Sequence, residues 1–586
     1  MTVGFEAPES AIAGRRAGNE HRDDPFVLES WGWSSRPDEC APKIAALASL
    51  FQLAPPDAVP SVAYQSRGNL LVVAGESPER AQRAALALAA DLHVTLLAQD
   101  ARREGPGYAA WAGHVQSIEG YLGEFSVVLS DLATADGAAR APTPAKFDLV
   151  LDFRAEPLFT VRFPPQGYFR APGDDDALAA MLPELREAVG EFEKPRYFNY
   201  RENICAHSRS EVQGCNACIE VCSTGAISSD GDRVKVDPHL CMGCGTCATV
   251  CPSGAMSYQY PRVAERGAQV KQLLASYREA QGRDACVLFH NGDGREVLAA
   301  AAAAGRGLPA RVLPLEAWSI SAVGLDLMLP AIALGASQVV LLSTGGDDAI
   351  ELAAIKGQMA IGQAVLSGLG YEGVHFAVIE ARTPEAVEGQ FARLAPAAHP
   401  EAPASFLTAN DKRTAIEFAV EHLVKHAPRR VDEIALPAGA PFGEVRVDKA
   451  KCTMCLACVG ACPESALMDG VDVPLLKFIE RNCVQCGLCE STCPEAAITL
   501  SPRLLLTPAA REARVLNETQ PFHCVSCNKP FGTKQMVDAM IGRLATHSMF
   551  SGSAGLRRLQ MCADCRVVDM MKAKDEVSIL RQGADS

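Results

Sequence analysis

The sequence predicts a multidomain chain of α/β plus α+β class. Two α/β domains are expected, two small cysteine-loop modules are set among them, and a thiolate metal-binding tail closes the chain. Three observations predict this. The chain has 586 residues, 48% hydrophobic and 21% charged, enough for several cores of ordinary globular composition. Short apolar runs alternate with helix-periodic stretches in two separate regions. Beside those regions, 16 of the 22 cysteines fall into four tight runs.

Residues 1–60 form a polar, proline-containing segment with one helix expected around Pro42 to Phe51. The first 24 residues lack the apolar stretch of a secretory signal, and AGNEHRDD after Arg15-Arg16 does not fit a twin-arginine signal. An α/β domain is expected over 61–195. LLVVAG, HVTLLAQD, FSVVLSDL and FDLVLDF read as strands, and Pro78 to Asp91 and Asp174 to Val189 as helices. The first cysteine module spans 196–262, where Asp230-Gly231 marks a hairpin turn. A second α/β domain is expected over 263–435, with strands CVLFHN, ARVLPL, SQVVLLS and VHFAVIEA. Its most apolar window, Ser319 to Ser343, is interrupted by Asp326, Pro330, Gly335 and Gln338, so it reads as a buried helix and strand rather than a membrane span. The second cysteine module spans 436–502 and the tail 503–586.

Three of the four runs are complete C-x2-C-x2-C-x3-C motifs: Cys241, Cys244, Cys247, Cys251; Cys452, Cys455, Cys458, Cys462; and Cys483, Cys486, Cys489, Cys493. The fourth is stretched, with nine residues between Cys205 and Cys215 before Cys218 and Cys222. This is the spacing of 4Fe–4S ligands, in which three thiolates wrap one cluster and the fourth crosses to its neighbour. Four clusters follow. Cys251 joins Cys205, Cys215 and Cys218; Cys222 joins Cys241, Cys244 and Cys247; Cys493 joins Cys452, Cys455 and Cys458; and Cys462 joins Cys483, Cys486 and Cys489. Zinc sites use two C-x2-C pairs instead. The two modules repeat at an offset of 240 to 242 residues, and only Cys205 is out of step, by a seven-residue insertion. If Cys205 is not a ligand, a 3Fe cluster or His207 are the alternatives. Proline follows the last cysteine of three runs, and Ser223 stands in that place in the other.

The tail carries Cys524, Cys527, Cys562 and Cys565 as two C-x2-C pairs, which read as a zinc-ribbon-like site or a fifth iron–sulfur cluster. His523 and His547 read as bystanders, and Cys286 as a small buried hydrophobe. No nucleotide-binding motif is present, and STGGDDA after SQVVLLS reads as an ordinary turn. The formal charge of −15 disfavours nucleic acid and anionic lipid as partners. Thiolate clusters fit a reducing, cytoplasmic setting.

The units CNACIEVCSTGAI…CMGCGTCATVCPSGA and CTMCLACVGACPESAL…CVQCGLCESTCPEAAI resemble bacterial dicluster ferredoxins. The whole arrangement is similar to large cytoplasmic polyferredoxins, and that resemblance implies electron transfer beside formate dehydrogenase. The segment PLEAWSISAVGLDLMLPAIALGASQVVLLSTGGDDA resembles the delta-subunit domain of methyl-viologen-reducing hydrogenases, but Ser343, Thr344 and Gly345 stand where that family carries cysteine. The expected function is single-electron relay between a dehydrogenase and an acceptor. Two alternatives stay open: an oxidoreductase subunit with a substrate, flavin or nucleotide site in an α/β domain, and an assembly scaffold with structural clusters.

Overall fold

A computed structural model of the chain describes residues 39–99, 105–133, 144–470, 473–547 and 553–572. The polar N-terminal stretch up to residue 38, which carries the expectation of no export signal, lies outside the described residues.

A seven-stranded mixed sheet forms the first α/β region. Its spatial order is Ala145–Phe147, Phe125–Ala133, Ala109–Glu119, His93–Ala98, Asn69–Val73, Leu149–Asp152 and Tyr168–Arg170. The last five run parallel, and the first two are antiparallel additions. The central strands are continuous runs of leucine and valine because both of their faces are covered. Helices Pro78–Leu88 and Asp175–Glu187 cover one face, setting Ala81, Ala85, Leu88 and Leu185 against Leu70, Val72, Leu96 and Leu149.

The second α/β region holds a parallel sheet ordered Val312–Glu316, Cys286–His290, Gln338–Ser343 and Phe376–Glu380. Helices cover both of its faces. Helix Leu325–Ala333 is buried at all nine positions, and strand Gln338–Ser343 at all six. The apolar window is therefore a buried helix followed by a buried strand. Among the described residues, no helix is long and apolar enough to cross a membrane. Helix Ala41–Ser49 forms where expected and packs on helix Val263–Glu279, adding Ala46 and Leu47 to this core.

Each cysteine module repeats one plan. Outer strands pair antiparallel: Phe198–Tyr200 with Met256–Tyr258, and Gly443–Val447 with Ile498–Leu505. An inner hairpin separates the two cysteine loops: Ile227–Asp230 with Arg233–Val236, and Leu467–Met468 with Leu475–Phe478. A short helix follows each loop: Ala217–Glu220, Thr246–Val250, Ala457–Ala461 and Leu488–Thr492. The first hairpin turns one residue later than the sequence suggests. Asp230 pairs with Arg233, so the turn is Gly231-Asp232, with Gly231 at φ +62°. In the tail, strands Pro521–His523 and Pro530–Thr533 pair, and helices Lys534–Leu544, Ser553–Leu559 and Ala563–Lys572 follow.

Candidate functional site

The second module displays the site in its regular form. One cavity is lined by Cys452, Cys455, Cys458 and Cys493, with Leu476 and Ile498. The other is lined by Cys462, Cys483, Cys486 and Cys489, with Phe478 and Leu488. In each, three cysteines come from one loop and the fourth from the other half of the module, which is the crossing that the spacing predicts. Left-handed residues flank the second cysteine of the regular loops: Met454 and Leu456, Gln485 and Gly487, Gly243 and Gly245. That reversal curls each loop around its cavity. Met454, Leu456 and Gln485 carry side chains in a region that glycine tolerates best, so the loop shape is held against local cost.

Backbone N–H groups aim at the sulfurs. Ala466 donates to Cys462 Sγ at 3.3 Å, Ala497 to Cys493 Sγ at 3.3 Å, and Met256 to Cys251 Sγ at 3.4 Å. Burial pushes the Cys458 and Cys486 thiols up to about 12 and Cys215 to about 11. A free thiol there stays protonated, so only a strong Lewis acid holds these sulfurs as thiolates. Apolar walls, converging sulfurs and N–H donors together fit a 4Fe–4S group.

In the first module Cys215, Cys218 and Cys251 are mutual neighbours with Cys205, and Cys247 neighbours Cys241, Cys244 and Cys222. The Cys241–Cys247 loop is walled by residues from distant segments. Trp318 Nε1 donates to Met242 O at 3.3 Å, Tyr258 OH donates to Gly243 O at 3.0 Å, and Tyr197 stacks on Trp318. Glu351, buried in helix Ala349–Gly368, faces Ser223 and Cys244, and burial raises its carboxyl above the usual range. None of these carries a motif, and spacing alone did not single them out. His207 is buried with both ring nitrogens engaged, Nδ1 on Cys215 O at 3.2 Å and Nε2 on Ser229 Oγ at 2.8 Å. These contacts tie the ring into the hydrogen bonds of the module.

The tail cysteines behave differently. Cys524, Cys527, Cys562 and Cys565 place their sulfurs within 4.8 Å of one another. Cys527 and Cys562 Sγ are 3.7 Å apart. The four thiolates could hold a metal. His523 is not part of the group. The site leans on the second module, where Thr533 Oγ1 donates to Thr453 O at 3.1 Å and Arg543 pairs with Glu495.

Elsewhere, Cys286 is fully buried in its strand, with its thiol pushed up to about 12. The turn after Gln338–Ser343 lies at the switch point of the parallel sheet, where such folds bind ligands. Arg382 closes over it, donating to Gly345 O at 3.0 Å, and Asp347 lies near Asp293.

Two family patterns match the chain, both described as a 4Fe-4S dicluster domain, over residues 213–255 and 444–494. No curated protein matches it. The two matches fall within the two cysteine modules, and the first begins after Cys205. The chain carries two 4Fe-4S dicluster domains, which support iron–sulfur electron transfer and interaction with redox partners.

Proposed function

We propose that the chain relays single electrons through four 4Fe–4S clusters between a dehydrogenase and an acceptor. The observation that supports this best is the pair of cavities in the second module, each walled by one crossed set of four cysteines. The equivalent sets in the first module are Cys205, Cys215, Cys218, Cys251 and Cys222, Cys241, Cys244, Cys247. When bound, such a group supplies one-electron redox chemistry at a potential tuned by hydrogen bonds, charge and burial. The chain supplies that tuning: the N–H donors to Cys251, Cys462 and Cys493, and the aromatic wall of Tyr197, Trp318 and Tyr258 that excludes water. No acid–base residue is required for this role. The α/β domains act as docking bodies, as their resemblance to the hydrogenase delta-subunit domain suggests, and formate dehydrogenase is the donor that the polyferredoxin resemblance points to. The tail holds one structural zinc.

Reductive titration of anaerobically purified protein tests the reading. One electron per cluster gives about four electrons per chain, with interacting S = 1/2 signals by EPR. Clusters that neither dithionite nor a physiological donor reduces would contradict relay and favour the scaffold role. A bound flavin in the absorbance spectrum would favour an enzyme subunit.

A further inference from the structure

The insertion that breaks the repeat at Cys205 has a defined shape. Residues 207–213 fold back as a hairpin in which Ser208 pairs with Gln213 and Arg209 with Val212. Its two turn residues, Ser210 and Glu211, both lie in the left-handed region at φ 51° and 66°. Such a turn favours Gly or Asn, and here a carboxylate holds it instead. Asp232 accepts from Ser208 Oγ at 2.9 Å, from Ser210 N–H at 3.0 Å and from Glu211 N–H at 3.4 Å. The ladder continues inward, with Gly214 N–H donating to His207 O at 2.7 Å and Cys215 N–H to Ala206 O at 2.8 Å.

The far side of this hairpin rests on the second module. Ala206 and Cys215 pack with Ala461, Cys486 and Leu488 in one small apolar cluster, in which Leu488 is fully buried. The approach is close enough that a Cβ on Gly214 would sit 2.6 Å from Leu488 Cγ. One helix start fixes the two modules in register. Lys412 Nζ donates to Ala248 O at 2.8 Å and Thr249 O at 2.6 Å, in the helix that carries Cys247. Its neighbour Arg413 donates to Arg481 O at 2.6 Å and Cys483 O at 3.3 Å in the second module. Within each module the two cysteine sets already share crossed ligands.

We propose that the insertion is a docking hairpin that seats the Cys205–Cys215–Cys218–Cys251 set against the Cys462–Cys483–Cys486–Cys489 set, joining the two modules into one continuous electron path. The proposal rests on the four-cluster reading above. The path then runs from the Cys222–Cys241–Cys244–Cys247 set, through the two facing sets, to the Cys452–Cys455–Cys458–Cys493 set. Only that last set has an exposed cysteine, Cys455. The hairpin is a positioning element: it touches no redox group but sets the gap between two of them.

Two full-length variants test this. Deleting His207–Gln213 leaves Cys205-Ala206-Gly214-Cys215, the regular C-x2-C spacing, with all sixteen run cysteines kept. Gly214→Leu adds bulk where Leu488 leaves no room. Iron content and EPR power saturation of the fully reduced protein are measured for both and for the unaltered chain. The expected result is iron unchanged in both variants, with loss of the fast-relaxing, broadened component that coupling between modules adds. The same broadening retained in the deletion variant at unchanged iron overturns the proposal. If the deletion sheds iron, Gly214→Leu decides, and retained broadening there overturns it equally. An unaltered chain with about 16 irons but no inter-module broadening overturns this inference alone, whereas fewer clusters overturn the reading on which it rests.

Discussion

Arg503→Met is expected to loosen the Cys483 loop severely. Arg503, on strand Ile498–Leu505, binds Glu480 in a fork, with Nε on Oε1 and a terminal nitrogen on Oε2, each at 2.8 Å, and reaches Glu444 at 2.9 Å. Glu480 is 6% exposed and opens the turn Glu480–Asn482, whose first carbonyl accepts from Cys483 N–H at 3.0 Å. Removing the guanidinium strands a buried carboxylate beside a cluster ligand. Breaking a buried pair costs about 3–5 kcal/mol. Arg514 still reaches Glu480 at 3.2 Å, so the lower end, about 3 kcal/mol, is expected. With a urea slope of about 2 kcal/mol/M, the midpoint for loss of visible cluster absorbance falls by about 1.5 M. Arg511→Met is the control: its side chain is 53% exposed, and its pairs with Glu417 and Glu421 are surface pairs screened by solvent. Adding Glu480→Gln to Arg503→Met should recover part of the loss, because the stranded charge is gone. Equal midpoint shifts for Arg503→Met and Arg511→Met would refute the reasoning.

Gly243→Ala should cost the first module a cluster, because its φ is +79° and a Cβ would sit 2.6 Å from the Tyr197 ring; Gly487→Ala, at φ +85° in open space, should keep its cluster at a strain of about 1–2 kcal/mol. Iron per chain for the two variants checks the contrast. Lys43 is buried and donates to Leu308 O at 3.0 Å, and burial lowers its ammonium to about 8. The unfolded chain therefore binds the extra proton above that value, so stability rises with pH from about 8 toward the unfolded value near 10.5, by up to about 1.4 kcal/mol per pH unit. Lys43→Met should flatten that rise, read as urea midpoints at two pH values in this window. The tail should hold one zinc per chain, with four sulfurs at about 2.3 Å and no metal–metal scattering by X-ray absorption. Cys562→Ser should release that zinc and leave the iron count unchanged.

What was legible in the sequence follows from the reach of each interaction. Metal ligands on tight loops impose short spacing, so the crossed sets of the second module could be assigned before any coordinates, and its two cavities have those linings. The buried strands Asn69–Val73, Cys286–His290 and Gln338–Ser343 were equally plain, because strands covered on both faces must be continuously apolar. Strand Ala109–Glu119 was missed: register shifts break its alternation twice and leave polar residues such as His114 and Gln116 along it. The Cys205 insertion was visible only as a gap in the repeat. Ser210-Glu211 has no turn signature, and its support comes from Asp232, some 20 residues further on. The Glu351, Trp318, Lys412 and Arg413 contacts with the modules were invisible for the same reason. They join segments far apart in sequence, and no local pattern encodes them.

The central claim is that sixteen cysteines in crossed sets hold four clusters. Iron and acid-labile sulfide counted on the anaerobically purified full chain test it most directly. The account predicts about 16 of each per chain. A count of about eight or fewer iron atoms after reconstitution would contradict it.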